Sequence, residues 1–296
     1  MKVVVCLKEV IETGELAFGQ ISEALQEKGF IHKPNPVDRL ALAEAIALKE
    51  TDSSVDITVV SIGPAGVEGY LREGLALGAD RAWRVWEDGL ASLSPYQKAM
   101  LLARAVALLG PALVLTGARS SDSSSGQVGP FMAARLGLPC ICRVTGFRRE
   151  GDGKGLSVTR NLSRGIREKV RVALPAVLTI EGSERKLPYA SLEAMLGSQE
   201  AAITCLSPAD LGVSLAELEN DPTRAIGLSF PRPRVKRLPA PDSSLPAFYR
   251  ILALLQGGIA KRRGEMLRGS PDELVIQLFD LLVAEGIIKP AGGKGR

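Results

Sequence analysis

The chain is poor in the residues on which catalytic centres and disulfide frameworks usually depend. Its 296 residues include one histidine, four cysteines and only 4% aromatic residues. A nucleophile paired with a histidine is excluded unless His32 itself serves, and His32 falls in a predicted loop. Four cysteines in so long a chain do not make a disulfide framework. With few aromatics, the core must consist of Leu, Val, Ile and Ala, which suits the packing of βαβ units.

Long apolar runs and strong charge are also lacking. No run approaches the roughly 20 apolar residues of a membrane-spanning helix. Residues 3–6 are too few for the core of a signal peptide and are typical of a strand. We therefore expect no membrane span and a cytoplasmic location. The net charge is only +4 and no basic stripe interleaves with aromatics, so nucleic acid is not an expected partner. Basic clusters at residues 232–237 and 261–263 are interpreted as solvated faces; the alternative is docking to an anionic ligand or an acidic partner.

Common catalytic and nucleotide-binding motifs are missing as well. The sequence has no G-x-x-x-x-G-K-[ST] segment and no G-x-G-x-x-G after its first predicted strand. A P-loop NTPase and a standard dinucleotide dehydrogenase are therefore not predicted. Alternation along a strand puts the side chains of Cys140 and Cys142 on one face, but no other Cys or His cluster accompanies them. We expect neither a metal site nor a catalytic residue.

What is present is a regular alternation of strands and helices. Apolar strands are predicted at residues 3–7, 55–62, 81–86 and 112–116, with helices at 36–49, 67–77 and 96–109 between them. This order predicts an α/β fold, a doubly wound, mostly parallel and Rossmann-like sheet with helices on both faces. Nearly continuous apolar strands agree with burial on both faces.

The rest of the chain follows a different pattern. Strands at 158–162, 168–172 and 176–180 are expected to extend the sheet with an antiparallel flank. From about residue 187 the rhythm is lost, and six prolines between 222 and 246 favour an extended arm. Ser270, followed by Pro271 and by Glu273 three positions on, is a capping box that predicts a terminal helix to about residue 284. We predict an α/β domain over residues 1–215 and a C-terminal arm and helix over 216–296; the tail, residues 292–296, is expected to be disordered.

One loop carries the clearest functional signal. The segment GARSSDSSSGQVG, residues 117–129, lies between a buried strand and a helix. Small side chains allow close approach, and free amides together with the helix dipole make an anion site, for which phosphate is the natural ligand. In an open parallel sheet, ligands bind at the carboxyl ends of the strands, where this loop lies. The alternative is a mobile, serine-rich surface loop.

Several segments within about residues 1–215 form a pattern when they are taken together: MKVVVCLKEV at the start, NPVD with LAEAIALKE, VVSIGP, LALGADRA, VLTG, Asp122 with GQVGP, and LPAV. In this order they resemble the β subunits of electron transfer flavoproteins. The resemblance implies that the first domain binds an adenine nucleotide, and that the C-terminal region contacts another subunit.

The resemblance implies an electron carrier rather than an enzyme. Such a β subunit forms a heterodimer with an α subunit that holds most of the redox FAD, and itself carries AMP or, in electron-bifurcating members, a second FAD. The pair takes electrons from flavin dehydrogenases and passes them to a quinone oxidoreductase or a similar acceptor. In PYASLEAM, residues 188–195, Leu192 falls at the position that anchors the dehydrogenase. The cofactor-binding positions implied are Cys6, Asn35, Pro36, Val37, Asp38, Ile62, Gly117, Ala118, Arg119, Ser120, Ser121, Asp122, Ser123, Ser124, Ser125, Gly126, Gln127 and Val128.

Roles for these positions are hypotheses. Gly117 lets the chain turn off its strand, residues 123–128 bind phosphate, and Asp122 shapes the loop or meets a ribose or amide. Asn35 and Asp38 line the nucleotide or merely start a helix, and Cys6 either contacts the nucleotide or only packs in the core.

Three departures from the family pattern stand out. Where Ser124 and Ser125 stand, the family usually has Asp or Asn followed by Thr. This difference leaves the identity of the nucleotide open. Residues 196–200 replace a Lys-rich segment, which leaves the partner open. The C-terminal third matches only loosely.

Two other functions compete with electron transfer. One is a stand-alone adenine-nucleotide-binding regulatory protein of the universal-stress type. The other is an adenylating ligase or a pyrophosphatase, which needs an acidic cluster for Mg²⁺ and a phosphate-binding lysine; the sequence places neither beside the loop.

Overall fold

The computed structural model describes residues 1–12, 31–88, 90, 93–151, 153–223, 241–255 and 266–288. Its contacts divide the chain into two compact units, Met1–Ile226 and Gly227–Arg296. Outside the described residues lie the predicted basic clusters at 232–237 and 261–263, the tail at 292–296 and residues 224–240 of the Pro-rich stretch.

The first unit is an α/β domain built on one large sheet. Nine described strands form this sheet in the order β11-β5-β4-β1-β6-β10-β7-β8-β9. The pairs from β11 to β7 are parallel, and β7-β8 and β8-β9 are antiparallel. A small antiparallel pair, β2 and β3, lies apart. The strands are β1 (Lys2–Cys6), β2 (Glu9–Ile11), β3 (His32–Pro34), β4 (Asp56–Ile62), β5 (Arg81–Val85), β6 (Leu113–Gly117), β7 (Cys140–Arg149), β8 (Gly155–Asn161), β9 (Arg167–Ala173), β10 (Ala176–Ile180) and β11 (Ile203–Leu206).

Helices cover both faces of the sheet, so the predicted doubly wound fold is confirmed. Along β1, Val3 and Val5 belong to one buried cluster, while Val4 and Cys6 belong to the other. This alternation of side chains gives one strand two buried faces. The α-helices described in the first unit are α1 (Pro36–Thr51), α2 (Glu68–Ala76), α3 (Pro95–Leu109), α4 (Val128–Leu136), α5 (Leu192–Glu200) and α6 (Leu215–Glu219).

The strand order creates a crevice beside β1. The chain passes from β1 to β4 and β5 on one side, and then returns to β6 on the other side. The connections that leave the carboxyl ends of β1 and β6 therefore diverge, and such a topological switch point is where open α/β sheets bind ligands. The loop at residues 118–127 and the start of α1 both lie there.

Two local predictions for the first unit were wrong. His32 lies in β3, where it is paired with Ile11, rather than in a loop. Beyond residue 187 the chain is not irregular, because α5 and β11 form there and β11 pairs with β5. These elements are short, and β11 has only partly buried or exposed residues, so neither produces a clear apolar period.

The second unit is described by two helices, α7 (Ala247–Leu255) and α8 (Pro271–Ala284). The capping box at Ser270 is confirmed: its side chain accepts from the Glu273 N–H, and the Glu273 side chain accepts from the Ser270 N–H. Helix α7 lies where an extended arm was predicted, because the prolines stop at Pro246 and a run of good helix formers follows. Among the described residues, no helix is both long and apolar enough to cross a membrane.

Candidate functional site

A cavity of 420 Å³ opens at the switch point. This volume is typical of pockets for small molecules and cofactors. Its walls come from the ends of β1, β4 and β6, from the starts of α1 and α3, and from the loop that leads into α4. Its lining residues are Cys6, Leu7, Lys8, Glu9, Asn35, Asp38, Ile62, Gly63, Pro64, Val67, Trp86, Leu90, Pro95, Lys98, Leu102, Thr116, Gly117, Arg119, Ser120, Ser123, Ser125, Gly126, Gln127, Val128 and Gly129.

Asp38 joins the two sides of the crevice. One carboxylate oxygen accepts from the Lys8 N–H after β1 at 2.7 Å, and the other accepts from the Gly117 N–H at the end of β6 at 3.0 Å. Asn35 Nδ2 adds a third hydrogen bond at 2.9 Å. The side chain is only 5% exposed, and this burial raises the pKa of Asp38 to about 7 against the lowering effect of its hydrogen bonds. Asp38 therefore fixes the floor of the cavity as well as starting the helix.

Asn35 holds the serine-rich loop rather than capping the helix. It occupies the N-cap position of α1, but its side chain makes no capping hydrogen bond. Its Nδ2 donates to the Arg119 carbonyl at 3.1 Å, and its Oδ1 accepts from the Ser121 N–H at 3.2 Å. The N-cap interpretation of its side chain was wrong, because the loop and Asp38 use both ends of the amide.

The serine-rich loop is shaped by its own hydrogen bonds. The Ser120 carbonyl accepts from both the N–H and the hydroxyl of Ser124, and the Ser120 and Ser123 hydroxyls lie 2.9 Å apart. Ser124 and Gly126 have φ angles of 49° and 63°, in the left-handed region. At Gly126 a Cβ would also come within 3.0 Å of the Ala118 carbonyl, so a glycine suits this turn.

Asp122 shapes the loop, which is one of its two predicted roles. Its carboxylate accepts from Lys8 Nζ at 2.6 and 2.7 Å and from the Ser123 N–H at 2.5 Å. Burial alone raises its pKa, but these bonds outweigh burial and lower the pKa of Asp122 to about 2. The ion pair ties the loop to the end of β1.

Two lysines at this cavity were missed in the sequence, and the expectation that no lysine lies beside the loop was wrong. Lys8 contacts the loop at Ser120 and Asp122. Lys98, in the first turns of α3, lines the cavity, and its ammonium makes no hydrogen bond or ion pair within the described residues. Burial and the charge of Lys8 lower the pKa of Lys98. Lys8 belongs to the segment MKVVVCLKEV that matches the family pattern, but no sequence signal brings Lys98 to the loop.

Most of the predicted cofactor positions meet at this cavity. Cys6, Asn35, Asp38, Ile62, Gly117, Arg119, Ser120, Ser123, Ser125, Gly126, Gln127 and Val128 line it. Six do not: Pro36, Val37, Ala118, Ser121, Asp122 and Ser124. The sequence also missed an apolar wall that includes Trp86, Leu90 and Leu102. Contact of any of these residues with a ligand stays a prediction.

Cys6 is a neutral side chain at the cavity wall. It is buried, and burial together with the nearby Asp38 charge raises the pKa of its thiol to about 12. The thiol is therefore not a nucleophile at neutral pH, since the thiolate is the reactive form.

Leu192 is exposed, as a docking residue must be. It is the first residue of α5, follows the N-cap Ser191, and is 73% exposed. Met195 and Leu196 on the same helix are also exposed. The predicted docking role itself stays a prediction.

Comparisons with known proteins identify the family of the chain. Residues 24–211 match the family described as "Electron transfer flavoprotein domain". The electron transfer flavoprotein subunit beta of Methylophilus methylotrophus is 29% identical over 90% of this chain and 97% of its own length. That of Thermoanaerobacterium thermosaccharolyticum is 31% identical over 78% of this chain and 88% of its own. The caffeyl-CoA reductase-Etf complex subunit CarD of Acetobacterium woodii is 29% identical over 72% of this chain and 81% of its own.

The family match covers more than half of the chain, and these relatives cover most of it. The chain therefore belongs to the electron transfer flavoprotein family, as one of its β subunits.

Proposed function

We propose that this chain pairs with an α subunit and binds an adenine nucleotide, AMP or a second FAD, in the cavity beside β1. The pair carries electrons from flavin dehydrogenases to a quinone oxidoreductase or a similar acceptor. The observation that supports this most is the cavity itself, with a serine-rich loop at the switch point of the sheet and a lysine, Lys98, that no described residue pairs with. The names of the relatives support the partner class, and the family match disfavours the stand-alone regulatory alternative. A cytoplasmic location stays a prediction.

The residues present fit a nucleotide phosphate. Helix α4 begins after Gln127 without a side-chain cap, which leaves the Val128 and Gly129 N–H groups for an anion. Pro130 has no N–H, and the Phe131 N–H donates to the Gln127 carbonyl at 3.0 Å. The start of this helix packs closely against β6 and β10. A Cβ added at Gly129 would lie 2.6 Å from the Thr179 side chain and 2.9 Å from that of Thr116. Lys98 adds a positive charge at the same cavity. The apolar wall formed by Ile62, Trp86 and Leu90 suits the flat base.

The chain's own role in this account is to bind and to position. A flavin, when bound, supplies the electron-transfer chemistry, and the protein supplies orientation and electrostatics. Within the described part of the chain, no group of three or more His, Cys, Asp or Glu residues could hold a metal ion. We propose that the redox FAD is shared with the α subunit, while the nucleotide of this chain is enclosed by the loop at 118–127.

Replacing Lys98 by methionine is expected to weaken AMP binding by about tenfold to a hundredfold. Losing a charge-assisted hydrogen bond costs about 1.5–3 kcal/mol, and each 1.4 kcal/mol is tenfold in affinity. The free energy of unfolding of the ligand-free protein should stay the same or increase. Burial of the Lys98 ammonium is unfavourable and lowers its pKa, and methionine removes that cost. Calorimetric titration of the dialysed heterodimer with AMP measures the affinity.

Lys186→Met is the matched control, because Lys186 is exposed and lies outside the cavity. Its AMP affinity should equal that of the unchanged protein. Equal affinities for the Lys98→Met variant and the unchanged protein would place the phosphate away from Lys98.

The function is tested by co-expressing this chain with an electron transfer flavoprotein α subunit and purifying through a tag on this chain. The account predicts a yellow one-to-one complex whose flavin is reduced by a flavin dehydrogenase. A colourless chain that never retains the α subunit overturns the proposed function.

A further inference from the structure

Two cysteines at the start of β7 form a pair of touching thiols. Cys140 and Cys142 are separated by one residue, and the predicted placement of both side chains on one face is confirmed, since their Sγ atoms lie 3.8 Å apart. Both residues are only half-buried, so small reagents can reach them. Neither residue lines the cavity described above.

The backbone next to the pair is strained. Arg143 has a φ of 61°, in the left-handed region, although it carries a long side chain. The pairing of β7 with β10 shifts register at this point. The Arg143 N–H donates to Thr179 Oγ1 at 3.1 Å, and its guanidinium contacts Glu181. A residue with a side chain adopts this conformation only when its surroundings impose it, and outliers of this kind are concentrated at functional sites.

The two thiols are not equivalent. The hydrogen bond with Cys140 lowers the pKa of Cys142, burial opposes this, and the Thr179 hydroxyl and the Arg160 charge lower it further, to about 6. The same Sγ–Sγ hydrogen bond raises the pKa of Cys140, as do its burial and the charge of Cys142. The directions of these shifts favour Cys142 as the more readily ionised thiol of the pair.

We propose that Cys140 and Cys142 form a redox-active dithiol that exchanges with low-molecular-weight disulfides. The Cys142 thiolate attacks one sulfur of a disulfide RSSR, a new Cys142–SR bond forms, and RS⁻ leaves. Cys140, as its proton passes to solvent or RS⁻, then attacks Cys142 Sγ, forms the Cys140–Cys142 disulfide and expels the second RS⁻. The protein dithiol is oxidised by two electrons, and RSSR is reduced to two thiols.

The geometry favours a reversible bond. A disulfide needs its sulfurs about 2.05 Å apart, so they must approach from 3.8 Å and bend a strand that is already irregular at Arg143. Strained and exposed disulfides are the readily reduced ones. A metal is the weaker alternative, because two thiolates leave half of a tetrahedral shell unfilled and the described residues hold no cluster of three ligands.

The chain provides its own controls. Cys6 is buried with a raised pKa, and Cys205 is exposed and contacts no second cysteine. We would treat the full-length Cys205→Ser protein, in complex with the α subunit, with oxidised glutathione and identify the products by peptide mass spectrometry. The expected product is an internal disulfide between Cys140 and Cys142, removed by a small excess of reduced glutathione.

Single variants separate the two roles. Cys140→Ser should accumulate the mixed glutathione disulfide at Cys142, and Cys142→Ser should form little adduct at Cys140. Alkylation of Cys142 should be half-maximal near pH 6 rather than near 8.5, the value of an ordinary thiol. The pH midpoint is the sharper readout than the rate, because a thiolate of low pKa is also a weaker nucleophile.

Two results would overturn the inference. One is that both thiols stay reduced while Cys205 of the unchanged protein forms a mixed disulfide. The other is that Cys140→Ser and Cys142→Ser form equal adducts with ordinary pH midpoints. A thermal melt of each serine variant confirms that it is folded.

Discussion

Replacing Gly117 by alanine is expected to lower the free energy of unfolding by about 3 kcal/mol and to abolish nucleotide retention. A Cβ at this position would lie 2.1 Å from Asp38 Oδ1 and 3.2 Å from Asn35 Nδ2. Neither atom is free to retreat, because Asp38 is held by three hydrogen bonds and Asn35 by the loop. Overpacking costs about 1–3 kcal/mol, and a buried hydrogen bond lost with it adds about 1–3 kcal/mol.

Chemical denaturation measures the first effect, and nucleotide released from the purified protein measures the second. Gly146→Ala is the matched control, because Gly146 also lies in a strand and a Cβ there meets nothing within 4 Å. It should be neutral or slightly stabilising, since alanine has less chain entropy to lose. If the two alanine variants were equally stable and held equal nucleotide, the tight contact at Gly117 would have no role.

Asp38→Asn is the second large effect, with an expected loss of about 2–3 kcal/mol. Above the Asp38 pKa of about 7 the carboxylate is ionised and offers only acceptors, and three N–H donors converge on it. The variants are therefore compared at alkaline pH. An amide of the same shape turns one end into a donor, so at least one of these groups loses its partner while buried, at about 1–3 kcal/mol. Since the Lys8 and Gly117 amides lie on opposite sides of the crevice, the cavity should also lose nucleotide affinity.

The comparison for this variant is Asp56→Asn. Asp56 forms an exposed ion pair with Arg81, and such surface pairs contribute about 0–1 kcal/mol. Chemical denaturation curves give the free energy of unfolding of each variant. A loss at Asp38 no larger than that at Asp56 would contradict the bridging role of Asp38.

Local signals in the sequence were sufficient to predict most of the order of strands and helices along the chain. Apolar runs such as residues 3–6 and 113–115, and the cap at Ser270, mark strands and helix starts within a few residues. These signals act over one or two turns of chain, so they remain readable without tertiary structure. Where an element is short and half-exposed, as in α5 and β11, the signal fades and the prediction failed.

The site was predictable only in its loops. Residues 117–128 stand together in the sequence, and their small, polar composition points to an anion site. Lys98 and the apolar wall reach the same cavity from α3 and from the segment after β5, and only packing brings them there. Asn35 looked like a helix cap because the sequence does not show that the loop competes for its amide.

The most direct test of the nucleotide site is to denature the purified heterodimer and count the FAD and AMP that it releases by chromatography. The account predicts, per heterodimer, either one FAD with one AMP or two FAD without AMP. The first result identifies a simple electron carrier, and the second favours electron bifurcation. In the Gly117→Ala complex, the nucleotide of this chain should be missing while the shared FAD remains. A heterodimer that releases one FAD and no second nucleotide of any kind would contradict the account.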